Sequence, residues 1–139
     1  MLVPKKVKYR KWQTERRNPA RQTPATRGIK VSFGSHGLKA LVPGRVRSNQ
    51  LEAARKAISR EMKKTGKMWI RVFPDMPFTQ KPAEVKMGSG KGDVQGYQTQ
   101  VWAGHIIFEV DGLDDASARI ALRKGAAKLP VKTRVVTRS

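Results

Sequence analysis

The chain carries a large surplus of positive charge: thirty lysines and arginines stand against ten aspartates and glutamates, which gives a formal net charge of +20 over 139 residues. Cations at this density repel one another in a compact fold unless a counter-charge is present. The hydrophobic share of 38% is also below that of a typical compact domain. We therefore expect one modest domain, basic segments outside its core, and a polyanionic partner, with nucleic acid favoured over an acidic membrane.

The composition disfavours several other classes of protein. The chain has no cysteine, so it has no disulfide framework, thiolate metal site or cysteine nucleophile. No apolar run approaches the roughly 20 residues of a membrane-spanning helix. The N-terminal MLVPKKVKYRK also lacks the apolar stretch of a secretory signal. We expect a cytosol-like location and no membrane partner.

The first 28 residues differ from the rest of the chain. Lysine and arginine are frequent there, Glu15 is the only acid, and the apolar residues follow neither a strand nor a helix period. We interpret residues 1–28 as a basic arm, disordered alone in water, before a single domain at 29–139. Tyr9 and Trp12 lie among these charges, and the sequence leaves open whether they fold back onto the domain or stack on bases.

Three strands and a helix are predicted in the first half of the domain. Residues 29–33 and 38–42 are strands around a GSHG turn, and 67–73 is a strand with large apolar groups on both faces, hence a central one. Between them SNQLEAARKAISREMKKTG is a helix, capped by Ser48 or Asn49 and ended by Gly66. Its apolar stripe is Leu51, Ala54, Ile58 and Met62. For its basic side we favour phosphate contact over a merely solvated face, because few acids could neutralise it.

The second half begins with residues 74–96, rich in proline and glycine, which are predicted as one long loop. Two strands follow around a turn at Ala103 and Gly104, and then a helix at 115–129 with Asp114 as its cap. Its stripe of small residues is Ala118, Ala121, Leu122, Gly125, Ala126 and Leu129. VKTRVVT is the last strand. The order predicts an α+β fold with two helices packed on one face of a mixed or antiparallel sheet.

No catalytic centre is apparent. The glycine-rich stretch 87–92 fails as a nucleotide-binding loop, because Val85 stands where the first glycine of that motif belongs and Gly92, not a hydroxyl residue, follows Lys91. His36 and His105 have no metal or base partners at a recognised spacing. Asp111, Asp114 and Asp115 suggest paired carboxylates, but helix capping explains the last two. We therefore predict no enzyme activity, no cofactor and no metal.

Several stretches, in order and spanning nearly the whole chain, resemble the bacterial-type large-subunit ribosomal protein sixteen family. GKMWIRVFP, from Gly66 to Pro74, is similar to its first signature region, and MGSGKG, from Met87 to Gly92, to its second. Residues 4–11 and 126–133 are similar to its two ends. One position departs: the second region of the family usually opens with arginine, and Lys86 keeps the charge but loses the two-pronged grip on phosphate.

The resemblance implies a structural constituent of the large ribosomal subunit, one copy per ribosome, in a bacterial cytoplasmic or an organellar ribosome. Its partners would be large-subunit ribosomal RNA, neighbouring ribosomal proteins and transfer RNA in the A site, with the P site as a further option. It also implies a role in late subunit assembly. The alternatives are an RNA-binding or chaperone-like protein outside the ribosome, and a phosphate-using enzyme with its site at Gly88–Gly92.

The family and the charge pattern together designate the contact residues. Ribosomal RNA is expected at arm residues Lys5, Lys6, Lys8, Tyr9, Arg10, Lys11, Arg16 and Arg17. It is also expected at domain residues Lys56, Arg60, Lys63, Lys64, Lys67, Arg71, Arg123, Lys128 and Lys132. The loop near transfer RNA and the peptidyl-transferase region contains Lys81, Lys86, Met87, Gly88, Gly90, Lys91 and Gly92. We expect the arm and loop to become rigidly ordered only when RNA is present.

Overall fold

The computed structural model of the chain describes residues 2–12, 24–80 and 92–138. Within these ranges the chain has the predicted α+β class, with two helices and seven strands. The elements in order are β1 His36–Ala40, β2 Gly44–Arg47, α1 Ser48–Met62, β3 Lys67–Ile70, β4 Met76–Gln80, β5 Asp93–Val101, β6 Ile106–Asp111, α2 Asp115–Ala126 and β7 Thr133–Thr137. No helix in the described ranges is long and apolar enough to cross a membrane.

The described strands form two antiparallel sheets, where the sequence suggested one. The larger sheet has the order β3-β6-β1-β7 and the smaller one β2-β5-β4. The chain passes from the smaller to the larger sheet at a turn where Gly104 has a φ of +103° and donates its N–H to Ala40 O at 2.7 Å. The alternation of apolar and polar residues along a strand shows which side chains share a face, but it does not show which strands pair. The sequence pattern therefore could not reveal that the strands form two sheets and not one.

The core lies between the helices and the sheets. Helix α2 contacts β1, β6 and β7, while α1 packs on α2 and contacts β2 and β5. The apolar stripe predicted for α1 is buried, as are Ala118, Ala121, Leu122 and Gly125 of α2. Asp114 is the N-cap of α2, as predicted. In α1 the N-cap is Arg47 and not Ser48 or Asn49, because β2 runs directly into the helix and Arg47 still pairs with Gln98 of β5.

The segment before β1 corrects two predictions. Residues 29–33 are not a strand, and the predicted turn at 34–37 contains the start of β1 at His36. The segment 29–35 instead lies on the larger sheet, where the Phe33 ring stacks on Trp69 with centroids 6.1 Å apart. This contact explains why β3 has apolar groups on both faces although it is an edge strand and not a central one.

The end of α1 and the predicted loop also differ from expectation. The helix ends at Met62, and Lys63 and Lys64 follow with φ of 50° and 64° instead of lying in its last turn. Within the predicted loop 74–96, β4 and the first part of β5 pair as a hairpin. Residues 81–91, between these two strands in the sequence, lie outside the described residues, as do Arg16 and Arg17 of the arm. The expectations of order upon RNA binding therefore stay predictions.

Close packing of the two helices gives a first testable prediction. A Cβ built on Gly125 of α2 would lie 2.5 Å from Cγ1 of Ile58 in α1. Because Ile58 is fully buried, Gly125→Val is expected to lower the free energy of unfolding by about 1–3 kcal/mol through overpacking. Ala116→Val, at an exposed position of the same helix, introduces the same β-branched residue and is expected to change stability much less. Chemical denaturation of both variants followed by circular dichroism tests this; equal losses would contradict it.

Candidate nucleic-acid interface

Both helices carry exposed cations, which we together call the helical basic surface: Lys56, Arg60, Lys63 and Lys64 from α1 and its end, with Arg123 and Lys128 from α2 and its end. Arg60 and Lys128, both predicted as RNA contacts, line one groove between the helices. The amphipathic pattern of each helix placed these residues on the outer face, and the packing of α1 on α2 brings the two rows together.

Most of these cations have no carboxylate partner. The described carboxylates that form salt bridges do so with other residues: Glu52 with Arg55, Glu61 with Lys124, Glu109 with Arg71 and Asp115 with Arg119. In the described part of the chain, no carboxylate forms a salt bridge with Lys56, Arg60, Lys63, Lys64, Lys67, Arg123, Lys128 or Lys132. Their charge is therefore available to an external anion.

A second basic region, the arm groove, lies between the N-terminal arm and the β4–β5 hairpin. It is lined by Val3, Arg10, Arg47, Ser48, Asn49, Phe78, Val94, Gln95, Gly96 and Tyr97. The Arg47 guanidinium lies 4.6 Å from the Phe78 ring centroid, a cation–π contact that holds both side chains. Arg10 was predicted from the sequence, but Arg47, Phe78 and Tyr97 were not. Phe78 was placed in a loop, and Arg47 and Tyr97 come near the arm only through the fold.

The end of the arm is attached to the domain. The Ala25 N–H donates to Ala103 O at 2.9 Å, and the Ile106 N–H donates to Gly28 O at 2.8 Å. Tyr9 is 62% exposed, with Lys8 Nζ 5.5 Å from its ring centroid, and Trp12 is 37% exposed. Both rings thus retain accessible surface, and base stacking by either remains a prediction.

Arg71, predicted as an RNA contact, has a structural partner. Its guanidinium donates to Oε2 of Glu109, whose side chain is fully buried at the centre of the larger sheet. Oε1 of the same carboxylate accepts the backbone N–H groups of Ser32, Phe33 and Gly34 at 2.8, 2.9 and 3.1 Å. This arrangement could not be predicted from the sequence, because the partners lie 38 to 77 positions apart along the chain.

These hydrogen bonds control the ionisation of Glu109. Burial by itself raises the pKa of this carboxyl group, but the bonds from Arg71 and from the three backbone N–H groups outweigh it and lower the pKa below its ordinary value. The carboxylate is therefore ionised at neutral pH although it is buried. It fastens segment 29–35 to the sheet and sets the position of Phe33.

The two histidines have structural partners that the sequence did not reveal. His36 Nε2 lies 2.8 Å from Oδ1 of Asp115 and His36 Nδ1 lies 2.8 Å from Ser35 Oγ, so β1 is tied to the start of α2. The hydrogen bond that the Asp115 carboxylate accepts from His36 lowers the pKa of Asp115 most, and the bond from Arg119 lowers it further. Burial lowers the pKa of His105, whose Nδ1 accepts the Trp102 N–H at 3.1 Å. Neither the His36 nor the His105 contacts form a metal-binding group among the residues described.

An α+β domain whose helices carry exposed cations without a salt bridge to any described carboxylate, and whose arm borders a cation–aromatic groove, has the chemistry of a nucleic-acid-binding protein. The sequence model of one family, ribosomal protein L16p/L10e, matches residues 4–136. The chain belongs to this family, as its motifs predicted.

Curated relatives agree with this membership. The large ribosomal subunit protein uL16 of Caulobacter vibrioides (strain NA1000 / CB15N) is 54% identical over 138 residues, which cover 99% of this chain and 94% of the relative. The proteins of the same name from Methylorubrum extorquens (strain PA1) and Paracoccus denitrificans are 54% and 51% identical, and in each case 99% of this chain and 98% of the relative are covered. The chain is thus a structural protein of the large ribosomal subunit, and the bacterial relatives agree with a cytoplasmic ribosome.

Proposed function

We propose that the chain binds large-subunit ribosomal RNA chiefly through the helical basic surface, with the arm and its groove as a second contact. The observation that carries this proposal is the set of exposed lysines and arginines on two adjoining helices that form no salt bridge with any described carboxylate. Neutralising phosphates releases counterions, so each such contact adds affinity that falls steeply with salt.

The hairpin suggests how the protein extends its reach. Strands β4 and β5 pair in the smaller sheet, and residues 81–91 connect them along the chain. That segment contains Lys81, Lys86 and Lys91 together with closely spaced glycines, which allow a backbone to approach RNA without side-chain clashes. We propose that it contacts A-site transfer RNA, with Lys86 as a point charge in place of the arginine usual in the family. A role in late subunit assembly follows if the surface and hairpin join separate RNA segments.

The test compares two triple variants with the same change of charge. Lys56→Gln, Arg60→Gln and Lys128→Gln together remove cations that form no salt bridge with a described carboxylate. Arg55→Gln, Arg119→Gln and Lys124→Gln instead remove cations that do form one. Binding to isolated large-subunit ribosomal RNA is measured across a series of salt concentrations. The first triple is expected to reduce the slope of log affinity against log salt by about 2–3, at about 0.7–0.9 per lost contact.

The paired triple is expected to reduce the slope by less, because its cations are already engaged within the protein. Equal slopes in both variants would show that total charge, and not the helical basic surface, governs binding. Sucrose-gradient sedimentation of cell extracts supplies the second measurement. The free-cation variant is expected to be depleted from the large subunit at moderate salt, and undiminished co-sedimentation would contradict the proposed contact surface.

A further inference from the structure

Phe33 lies at the surface, and its ring contacts the side chains of Trp69 and Arg71. The side chain is 55% exposed. The Trp69 ring lies with its centroid 6.1 Å from the Phe33 centroid and an interplanar angle of 23°, and the Arg71 guanidinium carbon lies 5.0 Å from the Phe33 centroid. Trp69 and Arg71 are two positions apart in an extended segment, so their side chains lie on the same side of the chain, next to each other against the Phe33 ring. We call Phe33, Trp69 and Arg71 the aromatic platform.

The backbone of the segment that carries Phe33 is held in place by hydrogen bonds and by close packing on the sheet. Three consecutive N–H groups, including that of Phe33, donate to the buried Glu109 carboxylate. A Cβ on Gly34 would lie 2.4 Å from Val110 O, so the segment is pressed directly onto the sheet. An exposed ring held in this way is pre-organised, and a ligand that stacks on it loses little affinity to ordering the protein.

The charges around the platform favour RNA as the occupant. Lys30, whose carbonyl accepts a bond from Arg71 Nη1 at 3.4 Å, and Lys67, two residues before Trp69, are both exposed. Asp111 is opposite Lys67 across β3 and β6, and its Oδ1 accepts the Gly112 N–H. An aromatic face flanked by lysines fits an unpaired base together with its phosphates, because stacking accepts the base and the cations accept the backbone.

We propose that the aromatic platform is a stacking site for an unpaired base of large-subunit ribosomal RNA, with Phe33 as the contacting ring and Trp69 and Arg71 as its positioning residues. This inference rests on the proposed function and adds a contact that is separate from the helical basic surface. It differs from phosphate binding in a measurable way, since stacking contributes affinity without contributing to the salt slope.

The test uses variants of an exposed residue, so the fold is expected to persist. Phe33→Leu keeps an apolar side chain but removes the flat ring, and it is expected to weaken binding to isolated large-subunit ribosomal RNA by about 5- to 100-fold with an unchanged salt slope. Phe33→Tyr retains the ring and is expected to bind like the wild type. Leu41→Ala, which truncates another exposed apolar side chain at 46% exposure, is the control and is expected to have little effect.

Ultraviolet cross-linking within large subunits then identifies the occupant. A cross-link from the peptide that contains Phe33 to ribosomal RNA is expected in wild-type subunits. A Phe33→Leu protein that binds RNA as tightly as the wild type, or contact of Phe33 with a neighbouring protein instead of RNA, would overturn the inference while leaving the helical surface intact. Failure of the wild-type protein itself to bind the RNA would overturn the proposed function, and the platform with it.

Discussion

Replacing Arg71 with methionine is expected to lower the free energy of unfolding by about 3–5 kcal/mol, because it leaves the buried carboxylate of Glu109 without its cationic partner. Methionine keeps much of the apolar stem that packs beside Phe33, so the loss reflects mainly the charge. The remaining backbone bonds to Glu109 Oε1 do not replace the guanidinium at Oε2. Urea denaturation at pH 7, followed by tryptophan fluorescence and circular dichroism, measures the effect.

Arg45→Met is the matched control for this experiment. Arg45 is also partly buried, but it donates to a neutral side-chain oxygen of Gln100 at 3.2 Å. Its loss therefore leaves no buried charge and is expected to cost only about 0.5–1.5 kcal/mol. Comparable losses in the two variants would show that the Glu109 carboxylate is not held as the structure indicates.

The same carboxylate predicts a dependence of stability on pH. Since the fold lowers the pKa of Glu109 beneath its ordinary value of 4.5, the unfolded chain takes up this proton first as the pH falls. The stabilisation from Glu109 is therefore fully present above pH 4.5 and is lost as the pH falls through the lower value of the folded state. Glu109→Gln is expected to be less stable at pH 7 and to lose less stability on acidification. An unchanged pH profile in this variant would contradict the assignment.

Gly66→Ala is expected to be the second most damaging substitution. Gly66 has a φ of +76°, and an added Cβ would lie 2.1 Å from the backbone oxygen of Asp111, which cannot move aside like a flexible side chain. Strain at such a φ alone costs about 1–3 kcal/mol, and displacement of β3 from β6 adds to it. Thermal unfolding and the yield of folded protein report the loss.

Gly28→Ala separates the cost of backbone strain at a positive φ from the cost of the collision between the added Cβ and a backbone oxygen. Gly28 has a similar φ of +65°, but the nearest atom to an added Cβ is His105 Cδ2 at 3.8 Å, an ordinary contact distance. Gly28→Ala therefore carries backbone strain without a collision, and it is expected to be clearly less destabilising than Gly66→Ala. Equal effects would mean that the close approach of Gly66 to Asp111 has no energetic weight.

The sequence predicted the features that repeat with a period and missed those formed by distant partners. The buried stripe of α1, most of that of α2, the turn at Ala103 and Gly104, and the last strand follow from local pattern and were confirmed. Helix α2 ends at Ala126 and not at 129, and Ala126 and Leu129 of its predicted stripe are only half-buried. The segment 29–33 has the alternation of a strand, yet its backbone N–H groups bond to the side chain of Glu109 and not to a neighbouring strand. No local signal distinguishes these two uses of the same donors.

The candidate interface was also predicted only in part. Charge and helical spacing identified Lys56, Arg60 and Lys128, because residues on the outer face of an amphipathic helix remain exposed wherever it packs. Arg71 looked equivalent in the sequence, but its partner lies 38 positions away along the chain, on the neighbouring strand. The Phe33 platform was missed for the same reason: its three members come from two segments joined only by the fold.

The order of strands in the larger sheet has a consequence for biosynthesis. β1 lies between β6 and β7, and its pairing with β7 joins residues near position 38 to residues near 135. A ribosome makes β1 well before β7, so the side of β1 that pairs with β7 keeps its amides and carbonyls unpaired while the intervening residues are made. Contacts this distant in sequence form slowly, and the nascent chain is most vulnerable to aggregation during that interval.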